Sequence, residues 1–177
     1  MQQKKHVSVA IDGNSAAGKS SLAELLRSRY HCNVISMDDF FLQPFQRTPD
    51  RLAEPGGNID YERFGAEVIP PLETGGAISY QVYDCQIGKL SRTIQAAPRP
   101  LCVIEGVYSL HPRFIDSYDI KVCLCVDAEE QRRRLLERNP ERYDRFINEW
   151  IPMENRYFEA FQIFAKCDVT FNTSANN

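Results

Sequence analysis

No apolar run in this 177-residue chain approaches the ~18–20 residues of a membrane-spanning helix; its strand-like stretches, such as Val122 to Val126, are short. The apolar run after Lys4 and Lys5 ends at Asp12, too early for a signal-peptide core. The cysteines (Cys32, Cys85, Cys102, Cys123, Cys125 and Cys167) form no Cys-x-x-Cys pair. Three of them lie within apolar strand-like runs, where cysteine behaves as a small hydrophobe. The expectation is therefore reduced thiols, with neither zinc nor a disulfide, in a cytoplasmic protein. Positive charge is not in excess either: 21 Lys and Arg face 24 Asp and Glu, a net charge of −3. That excludes a global basic field for nucleic acid. Internal repeats and low-complexity segments are also missing.

What is present suits one globular domain spanning 1–177. Hydrophobic residues make up 43% and charged residues 25%, and a chain of this length buries about 70% of its unfolded surface. Strand and helix patterns alternate. His6–Asp12, Asn33–Met37, Leu101–Glu105, Ile120–Asp127 and Asp168–Phe171 read as short strands buried on both faces. Ser20–Tyr30 carries Leu22, Leu25, Leu26 and Tyr30 at helical spacing. The expected fold is α/β: a three-layer sandwich around a mostly parallel five-stranded sheet.

Two segments break this rhythm. Residues 42–100 are turn-rich, with Pro55-Gly56-Gly57, Pro70-Pro71 and Gly75-Gly76, and are too long for a plain connection. We expect an insertion with one short helix, Asp60–Ile69, capped by Asp60, and a hairpin turning near Gly88. Residues 128–166 look helical but are interrupted by Pro140 and Pro152, the latter kinking or restarting the last helix. Phe146, Trp150, Tyr157, Phe161 and Phe164 give this segment an apolar, core-forming face.

The strongest motif is Gly13-Asn14-Ser15-Ala16-Ala17-Gly18-Lys19-Ser20, a full G-x-x-x-x-G-K-S between a strand and a helix. Its glycines permit a tight turn whose N–H groups point at phosphate oxygens. The helix start, with Ser21 in its first turn, adds a positive end. Lys19 reaches the β- and γ-phosphates of a nucleoside triphosphate, and the Ser20 hydroxyl can ligate Mg²⁺. No N-K-x-D guanine-reading motif follows. Glu105, ending the Leu101–Glu105 strand, is either an acid beside the metal or an ordinary strand-end carboxylate.

Asp38 and Asp39 lie in Ser36-Met37-Asp38-Asp39-Phe40-Phe41, followed by Asn58-Ile59-Asp60 and Val82-Tyr83-Asp84. With these elements, in this order with the Glu105-Gly106 pair, the chain resembles the uridine kinase family and its nicotinamide riboside, pantothenate and phosphoribulokinase-type relatives. The likeness runs from the phosphate loop to the last helix. It implies an ATP- and Mg²⁺-dependent kinase whose acceptor is a small-molecule hydroxyl, foremost the 5′-hydroxyl of a nucleoside. It implies Asp38 as the carboxylate accepting the acceptor's proton, and Glu105 with Ser20 beside the metal. Asn58, Tyr83 and Arg92 fall on the acceptor side. The arginines of residues 132–145 match a lid over the phosphates, with Arg138 and Arg142 toward the nucleotide and Arg145 toward the acceptor.

The same arginines also fit a solvated helix face paired with Glu129, Glu130, Glu137 and Glu141, and Asp39 fits a local cap. The chain departs from uridine kinases at Gly88, where the family has a histidine reading the pyrimidine. It also stops at Asn177, without the further helix many relatives carry. The alternatives are a kinase for another small alcohol, such as a vitamin precursor, or a non-catalytic nucleotide-binding regulator. The retained Asp38 argues against the latter. A homo-oligomer stays open.

Overall fold

The computed structural model describes residues 6–174. Its five-stranded sheet is built from β1 (Val7–Gly13), β2 (Cys32–Ser36), β5 (Leu101–Glu105), β6 (Ile120–Cys125) and β7 (Val169–Asn172), in the order β2-β5-β1-β6-β7. Every pairing is parallel. A fully parallel sheet needs cover on both faces, and side-chain alternation supplies it. Val9, Ile11 and Val103 join the cluster under α1 (Lys19–Arg29), with Ala23, Leu22 and Leu26. Ala10, Cys102 and Ile104 face the opposite cluster, which takes in Phe64, Leu72 and Tyr157.

The insertion holds more helix than its sequence predicts. It contains α2 (Pro49–Ala53), α3 (Tyr61–Glu67) and α4 (Ile69–Thr74) before the antiparallel pair β3 (Ile78–Asp84) and β4 (Lys89–Ala96). Asp60 caps α3 as expected, accepting from the Arg63 N–H at 3.0 Å. The single helix over Asp60–Ile69 instead divides at Val68, and Pro70 falls in the first turn of α4, where a missing N–H costs nothing. The hairpin turns at Gly88, at φ +68°.

After β6, α5 (Ala128–Arg138) leads through a 3₁₀ turn at Pro140–Arg142, one turn of α6 (Tyr143–Arg145) and a π-helical turn at Phe146–Trp150 into α7 (Ile151–Phe161). Pro152 sits in the first turn of α7, so the helix restarts there. Tyr157 is wholly buried, and Phe161 and Phe164 pack against the core. Phe146 and Trp150 do not reach it: they meet each other edge to face at 4.4 Å, half-buried. The expectation of free thiols fails at one pair, because Cys123 in β6 and Cys167 ahead of β7 form a disulfide. Parallel pairing of β6 with β7 brings these distant residues together, which spacing cannot reveal. No helix among the described residues is long and apolar enough to cross a membrane.

Candidate active site

Ligands of open parallel sheets sit at the carboxyl ends of the strands. Three neighbouring strands end there in candidate residues: β1 runs into the phosphate loop, β5 ends at Glu105, and β2 leads into a 3₁₀ turn, Met37–Phe40, carrying Asp38 and Asp39. Register aligns them, with Glu105 beside Ile11 on one side and Ser36 on the other.

The loop's shape follows from its glycines and its outward bonds. Gly13 has φ +130°, and a β-carbon there would lie 1.8 Å from the Leu124 carbonyl oxygen. Gly18, at φ +92°, precedes α1 and offers no side-chain cap. The first-turn N–H groups of Lys19, Ser20 and Ser21 therefore have no intrahelical acceptor. Three successive carbonyls turn outward. Ser15 O accepts from Gln131 Nε2 (2.9 Å), Ala16 O from Arg134 Nη1 (3.1 Å) and Ala17 O from Thr173 Oγ1 (3.0 Å). Lys19 is buried and donates to the Gly13 and Asn14 carbonyls, each at 2.8 Å.

Beneath the loop lies Asp12, a fully buried carboxylate absent from the motif. It accepts from the N–H groups of Gly13 (2.7 Å), Tyr108 (3.2 Å) and Leu110 (2.9 Å) and from the Tyr157 hydroxyl (2.8 Å). Burial raises its pKa against those bonds. Glu154 on α7, also buried, accepts from Ser15 N–H (3.0 Å) and from the Ser15 hydroxyl. Sequence reading missed Asp12, Gln131, Arg134, Thr173 and Glu154. An acid just before the first glycine was a visible signal for Asp12; the other four carry none, because they arrive from remote elements.

Ser20 Oγ donates to Glu105 Oε2 at 3.1 Å. Burial pushes the pKa of Glu105 up, with Asp38 adding to the rise and Ser36, Ser20 and Lys19 opposing it. Asp38 is solvent-exposed. Enough protein surrounds its carboxyl for lost hydration to raise its pKa, against Lys19, with Asp39, and against Arg138. Asp39 turns the other way: its carboxylate accepts from the Tyr80 hydroxyl (2.9 Å) and its carbonyl from Arg63 (2.8 Å). The adjacent acids thus have different surroundings.

The remaining candidates separate. Arg92 is exposed on the hairpin, within electrostatic reach of Asp39. Tyr83 is buried, and its hydroxyl accepts from Arg47 Nη2 at 3.1 Å. Asn58 lies beside Tyr108, its side-chain oxygen buried without a partner in hydrogen-bond geometry. Arg138 is in electrostatic reach of Asp38, whereas Arg142 is felt by Cys85 on the hairpin and pairs weakly with Glu141 (4.0 Å). Arg145 pairs with Glu149 (2.9 Å) and covers the Trp150 ring (4.9 Å), so nothing in this arrangement brings it to the acceptor side. A local i,i+4 partner satisfies it instead. The solvated-face reading holds for Arg133, paired with Glu130 and Glu137 at 2.7 Å.

A parallel α/β sheet whose first strand feeds a G-x-x-x-x-G-K-S loop defines the P-loop nucleotide-binding fold class, to which P-loop kinases belong. No family model matches the chain, but its homologues are consistent with that class. It is 25% identical over 184 residues to a uridine kinase of Bacillus mycoides, covering 93% of this chain and 85% of that one. It is 26% identical over 179 residues to a uridine kinase of Clostridium botulinum, covering 92% and 86%. A solved structure of a possible uridine kinase from Bacillus stearothermophilus shares the fold with a TM-score of 0.71 at 22% identity, over 97% of this chain and 91% of that one. The resemblance to uridine kinases therefore extends over most of the chain and supports a P-loop kinase acting on a small-molecule hydroxyl.

Proposed function

We propose that this protein binds ATP with Mg²⁺ and transfers the γ-phosphoryl group to the 5′-hydroxyl of a nucleoside-like small molecule. The observation that carries the reading is the convergence of Lys19, Glu105 and Asp38 at the ends of three adjacent parallel strands. Phosphoryl transfer asks mainly for positioning and charge stabilisation. Lys19 and the first-turn N–H groups of α1 bind the phosphates, and Arg138 and Arg142 close over them. Asp38 takes the acceptor's proton. Its raised pKa brings it nearer to working pH, where a general base is most effective.

The residues present fit Mg²⁺. Ser20 and Glu105 already hold two oxygens 3.1 Å apart, and the described residues contain no group of three or more His, Cys, Asp or Glu able to cage a metal. Mg²⁺ normally takes one or two protein oxygens and completes its shell with water and phosphate. When bound, the ion neutralises charge on the phosphates. In this reading Asn58 and Arg92 hold the acceptor, and Tyr83, buried and bonded to Arg47, supports the hairpin side. The Arg47–Tyr83 bond and Gly88, in place of the family's histidine, favour one second reading: a kinase for another small alcohol.

A coupled ADP-release assay over nucleosides, nicotinamide riboside, pantothenate and sugars tests this. The expected result is slow turnover alone and a sharp rise with a nucleoside. A rise with a different alcohol only would keep the kinase and replace the acceptor. No rise with any of them would remove the kinase reading.

A further inference from the structure

The phosphate loop carries a bond that its motif does not require. Glu154, 4% exposed, lies 139 residues from Ser15 and takes both its amide and its hydroxyl. Three residues on, Tyr157 on the same face of α7 reaches Asp12 at the foot of the loop. One helix therefore grips the loop at its base and near its crest. The Ser15 N–H is committed to this side chain. The Ala17 N–H is likewise committed, to the Asn14 carbonyl at 3.1 Å. With Gln131 fixing the Ser15 carbonyl, the Ser15 peptide is held on its N–H, carbonyl and side-chain hydroxyl at once.

We propose that Glu154 is a positioning residue for the phosphate loop, holding Ser15 so that the remaining loop amides keep the curvature that receives phosphate. The proposal rests on the nucleotide-binding part of the function proposed above. Glu154 lies within electrostatic reach of Lys19, but its hydrogen bonds go to Ser15, and it acts on the loop through that residue. What the role needs is two hydrogen bonds, one to an N–H and one to a hydroxyl. A glutamine can supply both, because its oxygen accepts from the amide and its nitrogen donates to the Ser15 oxygen. Aspartate keeps the charge but withdraws it by one methylene.

The test measures the Kd of ADP with Mg²⁺ by calorimetry for the wild-type chain, Glu154→Gln, Glu154→Asp and Glu154→Ala, alongside acceptor-stimulated turnover. Losing hydrogen bonds to a charged group at a buried site corresponds to about 10–100-fold in affinity. Glu154→Ala and Glu154→Asp are expected to weaken ADP by about that factor, and Glu154→Gln to stay within about threefold. Should Glu154→Ala fail to fold, Glu154→Asp and Glu154→Gln still decide the matter. Unchanged ADP affinity in Glu154→Asp, or a loss in Glu154→Gln as large as in Glu154→Asp, would overturn the proposal. A wild-type chain that binds ADP but phosphorylates no acceptor would overturn the kinase reading alone, since the affinity ratios would stand.

Discussion

The two parts of the site that would face a triphosphate are built in opposite ways. The phosphate loop, residues 13–20, is held by α5, α7 and the end of β7 through Gln131, Arg134, Glu154 and Thr173. Residues 140–150, which overlap the lid proposed at 132–145, pass through three helical types within eleven residues, and the ion pairs of Arg142 with Glu141 and of Arg145 with Glu149 are local. The loop is shaped before any ligand arrives, so its amides need no reorganisation during transfer. On the proposed function, a segment held by such local pairs is suited to the opening and closing that a lid needs. On the proposed function, this difference would give affinity to the loop and exclusion of water to the lid.

The largest test of this contrast lies between the two regions, at the base. Asp38→Asn should cost about 10²–10⁴ in kcat while leaving ATP affinity within a few-fold. Because burial raises the pKa of Asp38 above 3.8, the wild-type rate should fall as pH drops through that raised value, where the base becomes protonated. A pH profile of kcat with the acceptor in excess checks this. A dead Asp39→Asn beside an active Asp38→Asn would reverse the assignment.

Lys19→Ala should leave the fold intact and cost about 10²–10³ in rate. Circular dichroism and ADP release on the same sample measure both. A folded variant with near-normal turnover would show that the braced loop is not the phosphate site.

At the metal side, Glu105→Gln should raise the Mg²⁺ concentration needed for half-maximal activity by about tenfold, the loss of one charged contact. Superimposable Mg²⁺ titrations would return Glu105 to a purely structural role.

A smaller effect concerns stability behind the loop. His111 is buried among Tyr61, Phe114 and Phe161, and loss of hydration first, then Arg113 and Arg51, lower its pKa from 6.5 to about 4. Below about pH 6.5 the unfolded chain takes up a proton that the folded chain refuses, so stability should decline between about pH 6.5 and about pH 4. Urea midpoints across that range should fall less steeply for His111→Phe than for the wild type.

The smallest expected effect sharpens the lid side. Arg138→Ala should lower kcat more than Arg145→Ala, which should stay within about twofold of wild type because a surface pair is worth little. Equal losses at both positions would mean that lid closure swings Arg145 inward as well.

Much of this was legible in the sequence for local reasons. Short apolar runs marked all five sheet strands, the G-x-x-x-x-G-K-S loop declared itself by spacing, and Asp60 was readable as a cap. The insertion was less legible, because α2, α3 and α4 are short, and α3 and α4 depend on packing Phe64, Val68 and Leu72 into the core rather than on propensity. The divided helix at Val68 and the misplaced Phe146 and Trp150 share one cause: periodicity gives a face but not what covers it.

By itself, the sequence determined the strand–loop–helix that carries the phosphate motif and the acids at the strand ends, since each depends on residues within a few positions. Only the tertiary structure decided which remote groups complete the site. Glu154 meets Ser15, Tyr157 meets Asp12, and Cys123 meets Cys167 because the parallel register and the path of α7 bring together residues 44 to 145 positions apart. Hydrogen bonds and disulfides act over a few ångströms, so no local pattern encodes such pairs before the chain has folded.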